Sequence, residues 1–560
     1  MSQPLGGSDQ NCRASTRDQA AATPAVVAVK HMRRILVATD LTAESIALLE
    51  AADDVVVNMV PPKTSNVRAA LGDATAIITR SDFKLDAPLL EHAPKLKLIA
   101  RMSAGLTGID VDYATERGIL VMNIPGVSAI AAAEHTLTLM LALNRNLPDI
   151  HDSLREGWWL FDRGPQVGKQ LHGKTVGIIG LGRVGQRVAR LCLAFGMRVL
   201  ANDPYIREEQ VNDKRIQLVG QGELLGAADY VSLHVPATDE TVDFFTADML
   251  GQMKPGACFI NTAHGGVIKE ALLADALKDG RLGGVALDVW NEEPPFNSPL
   301  IGLDKVIHTP HIGDNTAEAR QDLSIQIVKQ VIDALDDRDY RNVVNMPLLP
   351  GLNYSDARPY MQLSESIGSL QHILARAPIR RIAIEIIGED MNGLIKPMTV
   401  GILKGLLAPI HGDKVSYVNA PVLAAEHGWR ITQAKGIKIS EYSNVITCQI
   451  TLDDNEEISI AGTLLDRQKP YILQINSYRI HFEPRGHLLI MGSYDQPGVI
   501  GRVGTLMAEN GINIASWHTG RAQPGGNTLT VLNFDEALPE SLMEILRGQD
   551  FIRHVHQLHI

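Results

Sequence analysis

The sequence predicts an α/β chain: two doubly wound parallel-sheet units, an α+β unit after them, and a small βαββαβ sandwich at the C-terminus. Three observations predict it. Short apolar, β-branched runs alternate with helical runs from residue 35 to about residue 309, the pattern of parallel sheets covered by helices. A glycine-rich turn, Gly180 to Gly185, falls between a strand-like run and a helical one. From Leu488 onward the order strand–helix–strand–strand–helix–strand is legible, that of a ferredoxin-like sandwich.

Length and composition allow this organisation. A chain of 560 residues should hold about three or four domains. Its 45% hydrophobic content supplies large cores. A net charge of −12 and a pI near 5.8 argue against general nucleic-acid or acidic-membrane binding. Cys12, Cys192, Cys258 and Cys448 are scattered without a CxxC pair, so free thiols in a reducing, cytoplasmic compartment are expected, and no metal site. No apolar run reaches the length of a bilayer span.

Residues 1–31 are rich in Ala, Ser, Thr, Gln and Gly and are expected to be disordered. They lack the apolar segment of a secretory signal, and Asp9 and Asp18 weaken a transit-peptide reading. Met32 is an alternative start. Strands are expected at 35–38, 55–57, 76–79, 97–100 and 120–123, an α/β unit without phosphate-loop glycines and hence the substrate side. Residues 131–144 read as an Ala- and Leu-rich helix, apolar on most faces and expected to be buried between domains or subunits. Trp158 and Trp159 are expected as packing anchors.

The stretch T-V-G-I-I-G-L-G-R-V-G from Thr175 organises the chain. Gly180 permits the tight turn, Gly182 lets a pyrophosphate approach the backbone, and Gly185 lets helix and strand pack closely. Asp203, eighteen residues past Gly185 at the tip of the next strand, would accept from a ribose 2′-hydroxyl and repel a 2′-phosphate. NAD is therefore expected over NADP. Further strands at 230–235, 258–262, 284–289 and 306–309 bring the sheet to six. Ligands lie beyond the carboxyl ends of such strands. That edge carries Val235, Thr262, Ala263, His264, Asp288, Glu293 and His311. A ketone receiving hydride needs a proton donor. A histidine serves near neutral pH, and a carboxylate on its other ring nitrogen fixes the tautomer and raises its pKa. His311 with Glu293 fits that description; the alternative is two polar residues satisfying turns.

A helix over 323–335 is expected to return to the substrate side, and 340–345 leads through Pro347 and Pro350 into a linker. Residues 352–486 mix short strands with amphipathic helices and show no catalytic cluster. In the last part, Asp495-Gln496-Pro497-Gly498 is a turn before a helix, and strands are expected at 512–516 and 528–534.

These motifs carry a resemblance. They are Arg80-Ser81, A-A-E-H-T-L-T-L-M-L-A-L-N-R from Ala132, G-L-G-R-V-G from Gly180, A-D-Y-V-S-L-H-V-P from Ala228, A-L-D-V-W-N-E-E-P from Ala286 and T-P-H-I-G from Thr309. Residues 32–345 resemble the D-isomer-specific 2-hydroxyacid dehydrogenases, and the whole chain resembles the long-form D-3-phosphoglycerate dehydrogenase family. The resemblance implies a split substrate domain (32–125 and 310–345), an NAD domain (126–309), an allosteric-substrate-binding-like domain (346–486) and an ACT domain (487–560). It implies Arg183 and Val184 at the pyrophosphate and Asp288 at the nicotinamide carboxamide. Val235, Thr262, Ala263 and Gly313 would also line the cofactor. Arg80, Ser81, Ala104 and Gly105 would meet the substrate. L-serine or another small amino acid would bind near Asp495–Gly498, and the chain would form a homotetramer.

Two departures stand out. Where the family has an arginine for the substrate carboxylate, His264 follows Asn261-Thr262-Ala263; a neutral imidazole offers one donor against a charged fork. If His264 holds that carboxylate, KM for the keto acid should rise between pH 6 and 8. Asp314 follows Gly313 where small residues are usual. The implied function is NAD-dependent oxidation of 3-phospho-D-glycerate, the entry to serine synthesis. Another 2-keto acid reductase, or a non-catalytic NAD(H)-binding, serine-sensing protein, remain the alternatives.

Overall fold

The computed structural model describes residues 32–560 apart from 81–82, 158, 160–166, 212, 239, 349–351, 389–390, 392 and 437–441. The expectations for residues 1–31, Ser81 and Trp158 lie outside the described residues.

The first sheet is parallel throughout, in the order Val55–Met59, Arg33–Ala38, Ala76–Thr79, Leu98–Arg101, Leu120–Met122. Its three central strands are almost wholly buried, as β-branched runs covered on both faces should be. The chain comes back to this sheet late. Helix Ala317–Leu335 lays Leu323, Ile327, Val328 and Val331 against Ile35, Val37, Ile78 and Leu98. Segment 342–345 then borders the last strand. Val344 N donates to Val121 O at 2.8 Å, and Val121 N donates to Asn345 Oδ1 at 2.9 Å.

The second sheet is also all parallel, in the order Val306–His308, Leu282–Leu287, Ala257–Asn261, Tyr230–Leu233, Thr175–Ile179, Arg198–Asn202, Ile216–Leu218. It has seven strands where six were expected. The extra one is three residues long at the edge with only Ile216 buried, too short to carry a pattern. The order reverses beside Thr175–Ile179, which places the glycine turn at the switch point.

The Ala- and Leu-rich helix spans Ala129–Arg145. It is buried within the chain, with Ala133, Leu137 and Met140 in one cluster with Val176, Ile178 and Ile260. The following helix, Leu147–Arg155, buries nothing and exposes Leu147 and Leu154. Trp159 is 70% exposed rather than buried.

Two further sheets complete the molecule. The third has six strands, Arg430–Lys435, Ile379–Ile387, Val445–Leu452, Glu457–Leu465, Lys469–Ile475 and Tyr478–Phe482; only the first pair is parallel. Helices Tyr354–Leu374 and Ile395–His411 cross closely over it. A Cβ on Gly405 would sit 2.1 Å from Glu365 O, so only glycine allows that approach.

The fourth is antiparallel, in the order Ile514–Arg521, Asn527–Phe534, His487–Tyr494, Ile552–His559, with helices Val499–Glu509 and Glu540–Arg547. One face packs on those helices through Leu489, Met491 and Leu532. The other buries Leu488, Ile490, Leu529 and Val531 with Ile480 and Phe482 of the third sheet. The strand expected at 512–516 starts two residues later and runs on to Arg521, because polar His518 and Thr519 hide its alternation. Among the described residues no helix is long and apolar enough to cross a membrane.

Candidate active site

The glycine turn has the shape that its chemistry requires. Gly180 has φ +92°, and a Cβ there would lie 2.6 Å from His234 O. A Cβ on Gly185 would lie 2.1 Å from Gly180 O, so the start of helix Arg183–Ala194 sits directly on the turn. Gly182 faces open space: a Cβ there would have nothing within 4 Å. Asp203 is held from behind: Leu181 N donates to Oδ2 at 2.8 Å and Tyr205 N to Oδ1 at 2.9 Å. Arg183 turns its side chain away, with Nη1 donating to Pro125 O at 2.5 Å, so its contribution at the turn is backbone. Val184 follows it in the first turn of the helix, and Val235 lies just past strand Tyr230–Leu233. A dinucleotide's pyrophosphate fits this cradle, with the open face of Gly182 and the uncapped helix N-terminus toward it.

At the same carboxyl edge, beyond strand Val306–His308, His311 Nδ1 lies 2.9 Å from both carboxylate oxygens of Glu293. The bond to Glu293 raises the His311 pKa, against the opposing effect of burial. The imidazole is half-exposed and its Nε2 is left for a reacting group. Trp290 N donates to Glu293 Oε1 at 3.3 Å, and Trp290 Nε1 to Thr309 O at 3.1 Å, which braces the loop.

Asp288 takes a place that the sequence did not suggest. It is 1% exposed. Its carboxylate accepts from Ile312 N, Gly313 N and Thr309 Oγ1 at 2.8, 2.8 and 2.6 Å, with His135 Nε2 at 3.3 Å. His311 N donates to its backbone oxygen at 2.9 Å. Asp288 therefore shapes the turn that presents His311. His311 itself has φ +53°, a conformation rare for a side-chain-bearing residue. His135 and Thr309 belong to this network and were missed. Both lie inside the quoted motifs, but nothing in their spacing marks them as partners of Asp288.

His264 is partly buried in extended backbone, behind Asn261. Asn261 Oδ1 accepts from Ala263 N at 3.0 Å and Nδ2 donates to His264 O at 2.9 Å, while Thr262 Oγ1 pairs with Thr136 Oγ1 at 2.7 Å. Burial lowers the His264 pKa and nearby His311 adds to the effect, with Glu293 opposing it, so the neutral ring is favoured.

On the substrate side, Asn123 Nδ2 donates to Ala104 O at 2.6 Å and Ser103 Oγ to Gly105 O at 3.1 Å; Gly105 faces open space. Arg80 is not a bare cation: its Nη2 lies 3.1 Å from Asp314 Oδ1, across the cleft between the two parallel sheets. Arg101 is fully buried and donates to the carbonyls of Arg80, Phe83 and Thr107, so it builds the loop rather than the pocket.

At the far end of the chain, Asp495 pins a hairpin. Gly525 N donates to Oδ2 at 2.9 Å and Arg521 Nη2 lies 3.1 Å from Oδ1. Gln496 N bonds back to Tyr494 O at 3.0 Å, Pro497 follows, and Gly498 (φ +95°) opens helix Val499–Glu509 without a side-chain cap.

The fold and the histidine–carboxylate pair define a class: an NAD-dependent dehydrogenase acting on D-2-hydroxy acids. Residues 137–313 match the NAD binding domain of the D-isomer specific 2-hydroxyacid dehydrogenases, 356–476 the D-3-phosphoglycerate dehydrogenase intervening domain, and 487–550 the ACT domain. A D-3-phosphoglycerate dehydrogenase of Methanocaldococcus jannaschii is 38% identical over 94% of this chain and 99% of its own. One from Archaeoglobus fulgidus is 37% identical over 84% of this chain and 90% of its own. The solved TT0316 protein from Thermus thermophilus is 33% identical with a TM-score of 0.52, covering 56% of this chain and 99% of that one. The chain belongs to the D-3-phosphoglycerate dehydrogenase family.

Proposed function

We propose that this protein oxidises 3-phospho-D-glycerate to 3-phosphohydroxypyruvate with NAD, the first step of L-serine synthesis. The observation that carries the reading is His311 Nδ1 at 2.9 Å from both oxygens of Glu293, at the ligand edge of a dinucleotide sheet. When bound, NAD supplies the acceptor for the hydride that leaves C2. His311 Nε2 takes the hydroxyl proton in oxidation and returns it in reduction. Glu293 holds the tautomer and stabilises the imidazolium that forms. Asp288 holds the His311 turn through its backbone. Asp203 selects NAD by its carboxylate, and Gly180, Gly182 and Gly185 admit the pyrophosphate.

On the substrate side we assign the phosphate to Arg80 and the carboxylate to the backbone around Ala104 and Gly105 and to His264. The domain boundaries that fit are 32–125 with 310–345, 126–309, 346–486 and 487–560. A homotetramer and a small amino-acid effector at Asp495–Gly498 are further proposals, supported by the exposed Leu147 and Leu154 and by the uncapped turn before Val499. Three buried free thiols, Cys192, Cys258 and Cys448, suit a cytoplasmic location.

The second reading is a reductase of another 2-keto acid, favoured by neutral His264 and by the Asp314 carboxylate on Arg80. NADH oxidation with phosphohydroxypyruvate, hydroxypyruvate and 2-oxoglutarate side by side separates the two. Fastest turnover on the first is the expected result. No turnover on any of the three would leave a cofactor-binding, amino-acid-sensing protein.

A further inference from the structure

We propose that Asp314 is a resident counter-anion for Arg80 and sets how strongly the site discriminates phosphorylated from unphosphorylated substrates. The inference deepens the functional reading above and rests on it.

Both ends of the pair stand on fixed backbone from different sheets. Arg80 ends the segment that leaves strand Ala76–Thr79, and its carbonyl accepts from the buried Arg101 guanidinium. Asp314 follows Gly313, whose N–H is held by Asp288, while Thr316 N donates back to Asp314 O at 3.0 Å. Asp314 has no capping duty to explain it. Helix Ala317–Leu335 is capped by Thr316, whose Oγ1 accepts from Ala319 N at 3.1 Å. Its carboxylate therefore points at Arg80 for a reason other than helix termination.

The pair is built to open. It is a single contact at 3.1 Å rather than a bidentate fork, and the two side chains are 26% and 23% exposed. A single part-buried contact with about a quarter of each side chain in solvent is one that an incoming anion can reach and compete with. A phosphate that uses Arg80 must either displace the Asp314 carboxylate or share the guanidinium with it. Both options put a dianion beside a fixed anion, and the repulsion grows with the charge brought in. A substrate with a plain hydroxymethyl group meets no such opposition. Asp314 thus lowers the advantage that Arg80 gives to phosphorylated substrates without touching the reacting carbon. Burial disfavours the charged form of His264, so that ring adds little positive charge to offset it.

The test is reduction kinetics of 3-phosphohydroxypyruvate and hydroxypyruvate at fixed pH and ionic strength, for the wild type, Asp314→Asn and Asp314→Ser. The ratio of the hydroxypyruvate KM to the phosphohydroxypyruvate KM should rise about tenfold in both variants, through a fall in the latter. The inhibition constant of inorganic phosphate should fall in parallel. In an Arg80→Gln background the same changes should move the ratio less than about twofold. A ratio unmoved in the single variants, or both KM values shifting together with the pH profile, would overturn the proposal, since the latter is what an effect relayed through His311 would give. If the wild type reduces neither keto acid, the functional reading falls instead. Calorimetry of inorganic phosphate binding to wild type and Asp314→Asn then still decides the proposal: equal affinity sinks it.

Discussion

The two sides of the cleft deploy charge in opposite ways. On the cofactor side the proposed pyrophosphate and ribose groups come from one contiguous stretch, Thr175 to Tyr205: an open Gly182, an uncapped helix start, and one carboxylate held from behind by Leu181 N and Tyr205 N. On the substrate side the groups meant for anions are compromised. Arg80 is tied to Asp314, and His264 is kept neutral by burial. The proposed cofactor cradle is thus determined locally along the chain, whereas the groups proposed for the substrate anions depend on how two sheets meet.

The largest effect falls where the sides meet. His311→Ala should cost about two to four orders of magnitude in kcat, while NADH affinity, which rests on the other half, holds. The His311 pKa is raised by Glu293, so oxidation, which needs the neutral ring, should climb with pH through an inflection above the ordinary value of about 6.5. The sign for stability is the reverse. The pair's contribution is fully present below the unfolded value and is lost as pH rises through the folded one. Glu293→Gln should bring the rate inflection back toward the ordinary range. Near wild-type turnover in His311→Ala would remove the dyad from the mechanism.

Next come the glycines. Gly185→Ala drives a carbon to 2.1 Å from Gly180 O and should destabilise the fold by about 3 kcal/mol, read as a lower Tm without ligand. Gly182→Ala meets open space, so its Tm should match the wild type while NADH affinity falls. If Gly182→Ala binds NADH normally, the pyrophosphate does not approach there and the cofactor side is not built as described.

This same contrast governs what the sequence revealed. The strand–glycine–helix–strand–acid order is local, and local order is legible from spacing. So were the six-element order of the last sandwich and the return of Leu323, Ile327 and Val331 to the first sheet. The edge strand Ile216–Leu218 was not, because three residues with one buried side chain carry no period. Trp159 stands exposed, since bulk alone does not bury a side chain. The pair Arg80–Asp314 joins residues 234 positions apart and forms only when the two sheets meet, while the Asp288–His135 contact forms only when helix Ala129–Arg145 packs on the second sheet. Asp314 was visible only as an unusual charge, with no partner attached to it.

A smaller effect tests the sharpest cofactor determinant. Asp203→Ala should reduce the preference for NADH over NADPH roughly tenfold, by removing the anion that a 2′-phosphate would face. The fold should survive, because Tyr205 N lies where solvent can replace the lost acceptor and the loss at Leu181 N is a single bond. Equal affinity of the wild type for both cofactors would cancel the role of Asp203.

The smallest effect concerns His264, and it corrects the sequence-based expectation that KM rises between pH 6 and 8. Burial disfavours the imidazolium, His311 adds to this, and Glu293 offsets only part. The folded pKa is therefore below the ordinary value of about 6.5, and the window moves to the acid side. Stability from this group is present above that value and is lost as pH falls below it, since the unfolded chain then binds the proton first. His264→Gln is the right comparator, because an amide neither titrates nor alters the charge felt by His311 near pH 7. Dividing the wild-type KM by that of His264→Gln removes the titration of His311, which both share. The quotient should change less than about twofold from pH 7 to 8 and should fall severalfold below about pH 6.5, as the ring gains charge and grips the carboxylate. A quotient that climbs steeply between pH 7 and 8 would mean that the substrate anion pulls His264 back into its charged form, and that the substrate side is less compromised than its buried ring implies. A quotient flat at every pH would mean that position 264 does not hold the carboxylate, leaving that task to the backbone around Ala104 and Gly105.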